Sequence, residues 1–164
     1  MKMKMRLITL AIISLIAIST MRISASADEI PLPQDIQDYC ADVGEEFDIC
    51  PCLLMSLVYT ESRGTAENVT QITSRKWFKE GIEYCDADDY KTNPYSAIRV
   101  CGYYLRKWYE QLGDADIYLI LDCWHEGYEN AINTYNERRP SYYARTIADR
   151  SAEWEEIFYE GSNG

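Results

Sequence analysis

The sequence predicts a mostly α-helical single domain, and three observations support that class. From Gln34 onward apolar residues recur at three- and four-residue intervals, prolines and glycines stand where helices would open and close, and no alternating run reaches strand length. No internal repeat or low-complexity linker divides the chain, and a hydrophobic content of 47% is enough to fill one core.

The chain opens with a stretch that reads as a removable export signal over 1–27. Lys2, Lys4 and Arg6 supply a positive start, Leu7 to Ile18 is an apolar run, and Ala25-Ser26-Ala27 is a small-x-small cleavage site. Ser19, Thr20 and Arg22 interrupt the run well short of the roughly 20 apolar residues of a spanning helix. The expected product is therefore residues 28–164, secreted or cell-wall associated, free of the membrane and monomeric.

Ile36, Tyr39, Cys40, Val43 and Phe47 share one face of a first helix over 34–47, and Gly44 with the acidic residues after it predicts a frayed end. Pro51 suits a first helical position and opens a second helix through Leu53, Leu54, Leu57 and Val58, stopped by Gly64. A polar loop over 64–73 leads to a short helix expected at 74–80, and 85–93 reads as an acidic loop. Asn93-Pro94 caps a long helix with the stripe Ile98, Cys101, Tyr104, Leu105, Trp108 and Leu112, closed by Gly113. Asp114 or Asp116 starts a helix holding Ile117, Leu119, Ile120, Leu121, Cys123 and Trp124, apolar on all sides and so expected to be the central buried one; Gly127 breaks it. A helix over 128–136 follows, and Pro140 begins a last amphipathic helix through Tyr143, Ile147, Trp154 and Phe158.

Residues 28–164 hold 12 basic and 27 acidic side chains, since four basic residues and no acidic one lie in the leader. Such an excess argues against nucleic acid or an anionic membrane surface as partner. The single histidine, His125, excludes a Cys2His2 zinc site and the two-histidine zinc-protease helix, and no metal or cofactor is expected. All six cysteines (Cys40, Cys50, Cys52, Cys85, Cys101, Cys123) follow the leader, an even count compatible with three disulfides in any of about 15 connectivities. Cys50-Pro51-Cys52 is one residue short of the thioredoxin spacing, so structural bridges are the expectation.

One acid stands out. Along the second helix Leu54, Leu57 or Val58, and Glu61 fall on one stripe, so the carboxyl continues an apolar face at the negative end of the helix. Both circumstances favour the neutral acid, the form that can protonate a glycosidic oxygen. The periodicity alone also allows Glu61 to turn outward or to pair with Arg63 or Arg75, as structural acids commonly do.

Further segments extend the pattern. Tyr59-Thr60-Glu61-Ser62-Arg63-Gly64 ends an apolar helix, Gln71-Ile72-Thr73 follows, Asn93-Pro94 opens a long helix with Gly102 and Leu105, and Leu121-Asp122-Cys123-Trp124-His125-Glu126-Gly127 comes later. This ordered set, spanning most of 38–147, resembles the soluble lytic transglycosylase family. The resemblance implies a goose-lysozyme-like α fold that cleaves peptidoglycan between N-acetylmuramic acid and N-acetylglucosamine. It implies Glu61 as the single catalytic acid and base, with Ser62, Gln71, Trp124, His125 and Tyr143 binding the glycan, and an anhydromuramyl product formed by the sugar's own six-position hydroxyl.

The chain departs from that pattern at two places. Asn68-Val69-Thr70 stands where Gly-Leu-Met precedes the glutamine, after a shortened loop, and Trp124-His125 replaces Tyr-Asn. These departures keep open a glycan-binding wall protein that retains the fold without turnover. Hydrolysis instead of anhydro-product formation, and a disulfide-stapled secreted protein with an unrelated partner, stay open as well. For His125 the residues also allow a partly buried ring hydrogen-bonded to backbone.

Overall fold

The computed structural model describes residues 29–113, 116–135 and 140–161. The expected leader, Asp114 and Asn136 lie outside the described residues. Among the described residues the chain forms seven helices and no strand: α1 (Gln34–Phe47), α2 (Pro51–Ser62), α3 (Lys79–Tyr84), α4 (Pro94–Leu112), α5 (Ile117–Glu126), α6 (Tyr128–Tyr135) and α7 (Tyr142–Gly161). The protein is mostly α-helical.

The helix ends have local causes. Pro51 is the first residue of α2, and Arg63 in the left-handed region (φ 60°) turns its N–H back to the Tyr59 carbonyl at 3.0 Å before Gly64 (φ 70°) completes the stop. Asn93 and Asp116 cap α4 and α5 by accepting from the N–H groups of Tyr95 and Tyr118, each at 3.0 Å. Gly44 does not fray α1, which continues to Phe47. A Cβ at this position would stand 2.7 Å from the Ile49 carbonyl oxygen, so glycine is what lets the α1–α2 turn fold back onto its own helix.

The short helix expected at 74–80 lies further on, at Lys79–Tyr84. Residues 74–78 form a turn instead, in which the Ser74 carbonyl accepts from the N–H groups of Trp77 (3.2 Å) and Phe78 (3.3 Å), and helix begins only where Gly81 and Ile82 bury against α4. The centre of the fold also differs. α5 is deeply buried from Leu119 to Trp124, but α2 is buried at every residue from Cys52 to Val58 and packs against α1, α4 and α7. The core is thus organised around two apolar helices. The buried Ser56 hydroxyl donates to the Ile147 carbonyl at 2.9 Å and ties α2 to α7.

Several acidic residues on the surface are paired. Arg99 forks onto Glu46, with the closest contact at 2.7 Å, and Arg106 reaches Asp48 at 2.8 Å, both joining α4 to the α1 end. Partly exposed pairs of this kind contribute at most about 1 kcal/mol, so the fold rests on the apolar core.

The expected disulfide bridges are not present: all six cysteines are free thiols. An even count reports parity, not proximity. Five of the six are buried as small apolar residues, and burial pushes the Cys40 and Cys123 thiols up to about 12 and the Cys85 thiol up to about 11. Among the described residues no helix is long and apolar enough to cross a membrane.

Candidate active site

The last turn of α2 brings Glu61 to the wall of a cavity of about 630 Å³. The opposite walls come from the 70–78 loop, from α4 through Tyr104 and Trp108, and from residues 123–130 at the α5–α6 junction. Glu61 is half-buried, not enclosed, because the helix ends at Ser62 and the cavity reaches its carboxylate.

Its partner comes from the other end of the chain. The Tyr143 hydroxyl, in the first turn of α7, donates a hydrogen bond to Glu61 Oε1. Burial, followed by the neighbouring Glu61 charge, pushes the Tyr143 phenol well above its ordinary value of 10.0. A raised phenol keeps its proton in the folded state, so the contact is fully present below pH 10 and is lost only as pH rises through the higher folded value. Alkaline difference spectra of wild type and Tyr143→Phe should therefore superimpose above pH 10 until the protein unfolds. An extra phenolate signal in wild type near pH 10 would contradict this.

Three features aim Tyr143. The buried Asp122 of α5 accepts from the Ser141 hydroxyl and, at 3.4 Å, from the Ser141 N–H. The Ser141 hydroxyl in turn accepts from the Ala144 N–H at 3.0 Å, capping α7 and fixing its first turn against α5. The exposed His125 ring lies flat on the Tyr143 ring, centroids 4.2 Å apart and planes 14° apart. His125 is therefore not a buried histidine held by backbone.

Of the residues singled out from the sequence, Glu61, Gln71, Trp124 and His125 line the cavity, and Tyr143 reaches Glu61. The Ser62 hydroxyl makes no hydrogen bond to Glu61. It donates to the Val69 carbonyl at 2.8 Å and accepts from the Gly64 N–H at 3.2 Å, pinning the following loop to the helix end. Asn68 continues that work, with its amide donating to the Ile72 carbonyl (2.8 Å) and accepting from the Ile72 N–H (3.1 Å). Thr70, fully buried, donates to the Ala97 carbonyl of α4 at 3.3 Å. The left-handed residue of the loop is Gln71 (φ 55°), exposed on the cavity wall. A non-glycine residue costs roughly 1–2 kcal/mol there, which the three anchors offset.

Several wall residues were not singled out from the sequence. Phe78 and Trp124 meet at 5.1 Å with tilted rings, and Phe78 meets Tyr104 at 5.1 Å in an edge contact, so the cavity floor is aromatic. Trp77, Glu126, Glu129 and Asn130 also line it. Glu126, the last residue of α5, accepts from Asn130 at 3.0 Å. The wall thus carries three carboxylates, and its described lining includes no Lys or Arg. Such a wall offers aromatic faces to apolar C–H surfaces and hydrogen-bonding groups to hydroxyls. Among the described residues no group of three or more His, Cys, Asp and Glu side chains could hold a metal ion.

No protein-family model, curated protein or solved structure matches this chain.

Proposed function

We propose that the protein is a secreted peptidoglycan-cleaving enzyme of the lytic transglycosylase type with a lysozyme-like α fold, acting between N-acetylmuramic acid and N-acetylglucosamine. The observation that carries the reading is the Glu61 carboxylate, held by Tyr143 on the wall of an aromatic cavity large enough for sugar rings. Glu61 in its acid form gives its proton to the glycosidic oxygen as the bond to the anomeric carbon breaks. The resulting carboxylate then takes the proton of the six-position hydroxyl of the same sugar. That oxygen closes onto the anomeric carbon and leaves an anhydromuramyl end. Tyr143 holds the carboxyl in place and stabilises its ionised form between the two steps. Trp124 supplies an apolar wall, and Gln71 offers an amide to sugar hydroxyls.

Hydrolysis is a second reading, favoured by Glu126 on the same wall, since a second carboxylate can activate a water against the anomeric carbon. Export of the chain is part of the main reading. Release of soluble fragments from purified peptidoglycan by the protein tests the activity itself. Release that Glu61→Gln lacks supports the reading, and an intact sacculus beside normal glycan binding favours the inert wall protein.

A further inference from the structure

Trp77 and Phe78 are consecutive aromatic residues in the turn before α3, and they differ in burial. Phe78 packs inward against Tyr104 and Trp124. Trp77 is 72% exposed, yet it lines the cavity that contains Glu61. Few side chains gain more from burial than an indole, and this one is offered to solvent at the cavity wall.

The exposure does not come from a loose chain. The Trp77 N–H donates to the Ser74 carbonyl at 3.2 Å, and its own carbonyl accepts from the Tyr104 hydroxyl at 3.3 Å. That hydroxyl also accepts from the Gly81 N–H at 3.3 Å. Tyr104 can approach so closely because residue 81 has no side chain: a Cβ would stand 2.5 Å from Tyr104 Cε2. The main chain is thus pinned from α4 while the indole is left without an intramolecular stacking partner of its own among the ring contacts of the described residues. A flat aromatic face on a wall bearing Glu61, Gln71, Glu126 and Asn130 combines the two things a pyranose ring needs, a platform for its C–H face and acceptors and donors for its hydroxyls.

Resting on the glycan-cleavage reading of Glu61, we propose that Trp77 is a sugar-stacking platform of the same cleft, receiving a pyranose ring remote from the scissile bond and so selecting longer glycan strands. Two ligands test it on a Glu61→Gln background, where nothing is turned over: a tetrasaccharide of alternating N-acetylglucosamine and N-acetylmuramic acid, and its disaccharide. Titration calorimetry and tryptophan fluorescence read the binding. Adding Trp77→Ala should weaken the tetrasaccharide by about tenfold or more, leave the disaccharide unchanged, and abolish most of the fluorescence change; Trp77→Phe should recover part of the affinity. An exposed residue can be replaced without harm to the fold, which an unchanged melting temperature verifies. Equal tetrasaccharide affinity with and without the indole, or no binding of either ligand, overturns the platform. A loss of affinity on removing Trp77, in a protein whose wild type cleaves nothing, upholds the platform and rejects the cleavage reading.

Discussion

Glu61→Gln is expected to lower glycan cleavage by roughly a hundred- to ten-thousandfold, the usual contribution of a positioned general acid and base. The amide keeps the shape of the side chain and can still accept from the Tyr143 hydroxyl, so the folded structure has no reason to weaken. Melting should be nearly unchanged or slightly raised, because a half-buried ionisable group has become neutral. Activity assays and thermal melts of the two proteins, run side by side, separate chemistry from stability. Full turnover by the variant would remove Glu61 from the mechanism.

The second large effect is expected at a residue that does not line the cavity. Asp122→Ala takes away the acceptor for both the hydroxyl and the N–H of Ser141 and leaves these groups with a partner lost at the α5–α7 contact. An unmet buried polar group costs about 1–3 kcal/mol, so the melting midpoint should fall. Activity should fall as well, because the Ser141 cap sets the turn of α7 that carries Tyr143 to Glu61. Asp122→Asn retains an acceptor for the Ser141 hydroxyl and should recover much of both properties. An alanine variant with wild-type melting and turnover would show that α7 needs no such clamp.

The fold was legible where chemistry is local. Pro51, Asn93, Asp116, Gly64 and Gly127 act through their own backbone or side chain within a few residues, and each marks a helix end in the structure. Features set by tertiary contact were not legible. Gly44 reads equally as a frayed end or a close approach until the α1–α2 turn is seen against it. The position of α3 depends on Tyr104 and Ile82 packing across elements, not on the periodicity of residues 74–80. Six cysteines suggest bridges by number, while their separation in space decides whether any forms.

The candidate site divides in the same way. Glu61 was legible from its place on an apolar helix stripe, but its partner Tyr143 lies 82 residues away and only the resemblance pointed to it. Ser62 was read as a glycan contact and Asn68 as a departure from the family pattern, whereas their hydrogen bonds build the loop that carries Gln71. The exposure of Trp77 has no sequence signature, because an aromatic residue next to another looks like core until its neighbours are placed. Glu126 follows two residues after Trp124 on α5, and only the turn at Gly127 shows that both reach the same wall.

In the proposed reaction Glu61 cleaves a glycan by proton transfer to and from the sugar itself. The most direct test is mass spectrometry of the ends released from purified peptidoglycan by wild type and, in parallel, by Glu61→Gln. Wild type should release fragments ending in anhydromuramic acid and the variant none. Reducing ends from wild type, or equal release by both proteins, would contradict that reaction.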